Sequence, residues 1–423
     1  MGAFTETLFS HHTRIEFRTS KNDFTRDRKL SFGQLSIFMF SLLTKTLQIE
    51  ITDFLNKIRS GVTSYTSSAF TQSRKKIKPE LFSYMMGELS KEFYSDNDER
   101  VKLWKGFRLL AVDGSTLELP NVASLSLVFG RYKNQYGLGK VLARCSVLYD
   151  LENEMVLDGV LSNPKTGERA LAKSHIKVLK ESNFKELILF DRGYSSFDLV
   201  YSLVESNIAF VMRVKELFNT EVKQFHDSKT TEDVIEISAG TGRSSTGKIQ
   251  VRIIKILLDN GEVELLITSL INKRIYPTSV FKQLYFKRWG VETFYDKLKN
   301  KIKVEYFTGY SEMSVRQDFF CSLLMNNIQS LLVSEANEEL QEKNSQTKYE
   351  YKVNTNLSLG FIKQKLVDVF LGEMPLETVL LELQTLFIRN IIPIRPNRTY
   401  PREKDKFGRL GLPAVTKNFK STL

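Results

Sequence analysis

The sequence predicts an α/β (α+β) protein: a mixed central sheet with helices packed on it, flanked by helical regions at both ends. Three observations carry this. From Phe107 onward short apolar runs alternate with amphipathic stretches, whereas the residues before about 100 and after about 310 read as helical. A β-rich segment, at about 216–268, interrupts the alternation. At 423 residues the chain is long enough to bury a sizeable core and to form two or three domains.

Composition narrows the partners. Hydrophobic content of 42% and charged content of 26% are those of a soluble globular protein. The net charge of +12 and pI near 9.3 favour a polyanion, either nucleic acid or an anionic membrane. The apolar run at 37–43 is far too short to span a bilayer and follows no signal pattern, so nucleic acid and the cytoplasm are expected, with no membrane. Cys145 and Cys321 alone build neither a disulfide framework nor a zinc cluster. The four histidines (His11, His12, His175 and His226) show no metal-ligand spacing, which leaves catalysis to carboxylates.

The elements follow in order. Residues 1–100 read as a basic helical region, with helices at 35–47 and 51–59 broken at Gly61. Ser64 or Thr66 caps a further helix carrying Arg74, Lys75 and Lys76, and Pro79 opens the next. Helix, glycine break and basic helix suit a DNA reader, with Arg74, Lys75 and Lys76 as candidate contacts; a solvated basic helix in a small bundle suits the pattern equally. Residues 101–310 form the sheet-bearing core. FRLLAVD, VLARCSVLYD and MVLDGVLSN are strands, 168–182 is helical, ELILFD is a buried strand, 197–205 is helical and 208–214 is a strand. In the β-rich segment, Asp259-Asn260-Gly261 signals a hairpin turn. Residues 311–390 are helical apart from a polar loop at 341–356. Between 391 and 423 eight Lys or Arg face Glu403 and Asp405 and carry +6 of the net +12, a basic tail suited to a phosphate backbone.

The chemistry concentrates in three places. Asp113 closes the strand FRLLAVD before Gly114-Ser115, and Asp191 closes ELILFD before Arg192-Gly193-Tyr194. Acids at the ends of buried strands are poorly placed for solubility and well placed to hold a cation at a sheet edge. The third place is a single helix opening at Pro277, on which Tyr285, Arg288, Glu292 and Lys299 fall at roughly 0°, 300°, 340° and 320°, a stripe about 60° wide. The stripe borders a core face of Leu284, Val291, Tyr295, Leu298 and Ile302 without belonging to it. Arg288 and Glu292 also fit an ordinary i,i+4 surface ion pair, and only the distant aspartates argue against that. Three carboxylates suffice to hold two Mg²⁺ ions about 4 Å apart for in-line displacement at a phosphodiester, with no histidine base.

Val-Asp113-Gly-Ser, Phe-Asp191-Arg-Gly-Tyr and Tyr285…Arg288…Glu292…Lys299, in that order, resemble the DDE transposases of bacterial insertion sequences, and within them family four, named for its Y-R-E-K signature. The resemblance spans about residues 100–310. The long separation of Asp191 from Glu292 is consistent with it, exceeding what a strand, helix and strand use. It implies an RNase H-like catalytic core with a β-rich insertion, an N-terminal DNA-binding region and a C-terminal helical region for dimerisation in a synaptic complex. It further implies Mg²⁺, with Mn²⁺ substituting, on Asp113, Asp191 and Glu292, and phosphate contacts from Tyr285, Arg288 and Lys299. The implied reaction is metal-dependent cleavage at the terminal inverted repeats, through a hairpin, then attack on target DNA. Relatives hold a flipped base during hairpin formation with an aromatic in the insertion, usually Trp; Trp104 and Trp289 both lie outside it. An RNase H-like nuclease without strand transfer, or a catalytically silent DNA-binding derivative, are the alternative readings.

Overall fold

The computed structural model describes residues 1–26, 28–41, 45–58, 64–95, 100–133, 139–180, 183–238, 247–258, 261–344 and 349–394. The expected basic tail from residue 395 onward, Gly61 and the Asp259-Asn260 part of the hairpin turn lie outside these. The chain forms two compact units: Met1–Phe93 with Glu118–Val141 and Leu298–Leu423, and Tyr94–Leu117 with Leu142–Lys297.

The first unit is mainly helical and joins stretches from both ends of the sequence. Ser31 starts the helix Phe32–Phe40 with a reciprocal capping box to Gln34, and Thr66 caps Ser67–Arg74 by accepting from the Ala69 N–H. The remaining long helices are Leu47–Lys57, Glu80–Ser95, Glu312–Asn344, Thr355–Leu371 and Leu376–Arg389. Phe4, Phe40 and Phe370 pack ring against ring in its core. Arg74, read from the sequence as a DNA contact, is instead a core residue only 3% exposed. Its guanidinium donates to Gln317 Oε1 and Asp318 Oδ1, both at 2.9 Å, and also to Thr308, so its donors are committed inside the unit. The sequence reading went wrong because helical period identifies a face and says nothing of what covers it. Lys75 remains exposed, and Lys76 lies 3.6 Å from Asp23.

The second unit is built on a sheet. Its strands are β1 (Arg108–Leu119, whose last two residues belong to the first unit), then, past a short β2 (Arg131–Lys133) of the first unit, β3 (Gly139–Asp150, whose first three residues belong to the first unit) and β4 (Met155–Ser162). They continue as β5 (Glu186–Phe190), β6 (Ala209–Val214), β7 (Glu232–Ser238), β8 (Lys248–Leu257) and β9 (Val263–Thr268). The order is β4-β3-β1-β5-β6-β9-β8-β7. β5 runs parallel to both β1 and β6, and β4 runs antiparallel to β3. The strands β4-β3-β1-β5-β6 thus follow the order of an RNase H-like core. The β-rich insertion extends the same sheet rather than standing apart: β9 pairs antiparallel with β6, and β8 and β7 follow.

Alternation explains why both faces are covered. Leu110, Val112, Ile188 and Phe190 face α1 (Glu168–Leu179) and α2 (Phe197–Glu205), while Leu109, Leu187 and Leu189 share the opposite face with Phe281, Leu284 and Tyr285. Each fully buried side chain of this kind contributes roughly 1.5–3 kcal/mol. A third helix, α3 (Thr220–Asp227), opens the insertion, capped by Asn219. The single helix expected from Pro277 is divided into α4 (Ser279–Phe286), α5 (Trp289–Asp296) and a π-helical turn, Lys297–Lys301.

Candidate active site

Sheet register brings the two aspartates together. Val112 pairs with Phe190 in the parallel β1–β5 ladder, so Asp113 and Asp191 are the next residues on adjacent strands, which lie about 4.8 Å apart. β5 stops there. Asp191 turns the chain into the 3₁₀ turn Arg192–Tyr194 and accepts the Gly193 N–H. Asp113 accepts the Gly114 N–H at 2.8 Å. Burial pushes the Asp113 carboxyl up to about 6, with Glu292 and Glu168 adding like charge; the Gly114 N–H and Arg288 oppose the rise.

Asp113 does not close its strand as the apolar run FRLLAVD suggests, because β1 continues to Leu119; two tyrosines of the α4–α5 segment bond the backbone at the two aspartates. The Tyr285 hydroxyl donates to Phe190 O, immediately before Asp191, at 3.3 Å. The Tyr295 hydroxyl donates to Asp113 O at 2.8 Å. Tyr285 therefore belongs to the core it was expected only to border, and its hydroxyl faces backbone; burial raises its pKa.

Arg288 is likewise buried. Its Nη2 donates to Glu292 Oε1 at 3.0 Å, its guanidinium lies over the rings of Tyr285 and Trp289, and its Nε has no hydrogen-bond partner. The i,i+4 pair suggested by the spacing forms, but with an arginine side chain only 7% exposed it is no surface pair. Arg288 is a cation placed among acids: its charge lowers the Asp113 pKa, while Tyr285, Asp191 and Glu292 help to hold its own up. Lys299 falls in the π-helical turn and in the first unit, half-buried.

Several residues of the site escaped the sequence reading. Tyr295 was assigned only to packing. Ser146 Oγ donates to Asp113 O at 3.3 Å, lies 2.9 Å from His175 Nε2, and His175 Nδ1 lies 2.7 Å from Asp158, so a polar chain reaches the backbone of Asp113 from the buried side. No spacing rule announces such a chain, because its members sit on β3, β4 and α1. Glu168, in the first turn of α1, had no signal beyond the ordinary preference for acids at helix starts.

The donor chemistry suits a hard divalent cation: carboxylate oxygens, no thiolate, and a buried acid destabilised by like charge. Among the described residues, no three His, Cys, Asp or Glu side chains converge to hold a metal ion. The reason is visible in their partners, since Glu292 is turned to Arg288 and Asp191 to its own turn. Asp113, Asp191 and Glu292 are the residues that would hold the cation on leaving these partners.

The chain is similar to known transposases. Residues 104–328 match the family model for the transposase DDE domain. A candidate transposase of Sinorhizobium fredii, y4zB, is 24% identical over 143 residues, which are 32% of this chain and 39% of that protein, so the chain matches well under two thirds of its relative's length. A cryo-EM structure of a piggyBac transposase in a synaptic complex with hairpin DNA aligns over 96% of this chain and 88% of that one, with 13% identity and a TM-score of 0.46. Among the described residues, no helix is long and apolar enough to cross a membrane.

Proposed function

We propose that this chain, which belongs to the transposase DDE domain family, cuts DNA at the terminal inverted repeats of its element and joins the freed ends to target DNA. The observation that carries the reading is the juxtaposition of Asp113, within β1, and Asp191, just past the end of β5, at neighbouring positions of paired strands, with Arg288 and Glu292 in the same electrostatic neighbourhood. Mg²⁺, or Mn²⁺ in its place, held by Asp113, Asp191 and Glu292 would supply Lewis-acid activation of the attacking oxygen and neutralise charge on the departing one. In this reading Glu292 exchanges Arg288 for the cation, and Arg288, with Lys299, turns its charge to flanking phosphates. Tyr285 and Tyr295 fix the backbone at Phe190 and at Asp113, so the aspartates are positioned before DNA arrives. Lys75, Lys76 and the basic tail supply phosphate contacts that set affinity rather than sequence choice. A homodimer pairs the two element ends.

The test is a two-stage assay with Mg²⁺ and DNA carrying the element's own ends. Nicking followed by covalent joining to a target plasmid is expected. Nicking without joining of pre-cut ends would establish the nuclease reading, and end binding with neither step would establish the silent DNA-binding derivative.

A further inference from the structure

Resting on the site proposed above, we infer that Glu168 is a fourth carboxylate of the cation site, contributed by the start of α1. The observation is positional. Glycines follow both aspartates, and the Glu168 carboxylate lies against each: a Cβ built on Gly114 would sit 3.6 Å from its Oε1, and one built on Gly193 would sit 3.7 Å from its Oε2. One carboxylate therefore bridges the segment after Asp113 and the segment after Asp191.

A second observation points to a ligand in the same place. Tyr194 is 2% exposed, and its hydroxyl has no hydrogen-bond partner. Burial foremost, then the charges of Asp113, Glu168 and Asp191, raise its pKa against Arg144, so this unpartnered phenol lies within the field of all three acids. A buried hydroxyl without a partner is destabilising, and a cation-bound water between these acids would be a natural acceptor or donor for it. Glu168 also has an alternative employment. Its Oε1 lies 3.5 Å from Arg144 Nη1, and an acid in the first helical turn is favourable in its own right. That pair is long and its glutamate is 40% exposed, which leaves the carboxylate free to turn inward.

The two roles separate in a binding experiment on the full chain, with Mn²⁺ alone as probe and free Mn²⁺ read by electron paramagnetic resonance. Glu168→Gln is expected to weaken Mn²⁺ binding about tenfold or more, Glu168→Asp to retain most of it, and Arg144→Gln to bind as the unaltered chain does. Asp113→Asn serves as the control for the site itself. If Asp113→Asn loses binding while Glu168→Gln keeps it, the inference is overturned and the proposed site stands. If Glu168→Gln and Arg144→Gln fall together, Glu168 only anchors the helix and the inference is again overturned. If Asp113→Asn leaves binding unchanged, the proposed site fails and takes the inference with it.

Discussion

Replacing Asp113 by Asn should stabilise the cation-free protein at neutral pH, although it removes the central acid of the site. The carboxyl rises from 3.8 in the unfolded chain to about 6 in the folded one, chiefly through burial. Its contribution to stability is full below about pH 4, falls as pH rises through 6, and is then lost. At about 1.36 kcal/mol per unit, a rise of about two units costs the folded protein on the order of 3 kcal/mol above pH 7. Asparagine keeps an oxygen to accept the Gly114 N–H and carries no charge. At about 1 °C per kcal/mol for a chain of 423 residues, the variant should melt on the order of 3 °C higher at pH 8 without divalent cations. Melting curves at pH 5, 6.5 and 8 decide it: the gap between the two proteins should widen with pH and then level. Added Mn²⁺ should raise the melting point of the unaltered protein more than that of the variant. A variant that melts lower at pH 8, or a gap that ignores pH, would refute the reasoning that burial and like charge strain this acid.

Further outcomes follow from other contacts. Arg74→Ala removes the cation paired with Asp318, which keeps only its Thr308 donors, and the donor to Gln317 Oε1; it should cost about 3–5 kcal/mol in urea unfolding, whereas Lys75→Ala should leave stability within about 0.5 kcal/mol. Tyr295→Phe removes one hydrogen bond to the Asp113 carbonyl and should cost about 1 kcal/mol in stability; its effect on end cleavage should exceed that of Tyr201→Phe, a half-buried tyrosine of α2. Glu232 is held down to about 2, first by its hydrogen bond from Thr278 and then by Arg252 and Lys273. Its contribution is therefore present above about pH 4.5 and lost as pH falls through 2, so Glu232→Gln should flatten acid denaturation across that window, as followed by circular dichroism.

How much of this was legible in the sequence depends on the range of the interaction. ELILFD announces a buried strand ending in an acid because strand and side chain lie within six residues, and β8 and β9 announce themselves by β-branched runs. The four polar residues from Tyr285 to Lys299 announce a helix face. Depth is another matter: Tyr285 and Arg288 read as bordering the core, yet packing against strand ends almost 100 residues upstream buries both. Arg74 reads as basic surface because Asp318 and Gln317, which bury it, come from the other end of the chain. The site's supporting residues are hidden for the same reason, since Ser146, His175 and Asp158 are ordinary in their local segments and meaningful only once β3, β4 and α1 are assembled. Polar side chains whose partners are remote in sequence leave no local periodicity to read.

The proposed function requires that Asp113, Asp191 and Glu292 act as one unit. The direct measurement is single-turnover cleavage of DNA bearing the element's terminal repeats, in Mg²⁺, by Asp113→Asn, Asp191→Asn, Glu292→Gln and the triple variant. Each single variant should lose cleavage by about 10³-fold or more, with the triple variant hardly worse than the singles, as residues acting together require. Cleavage at the unaltered rate by any one of the three would contradict the claim.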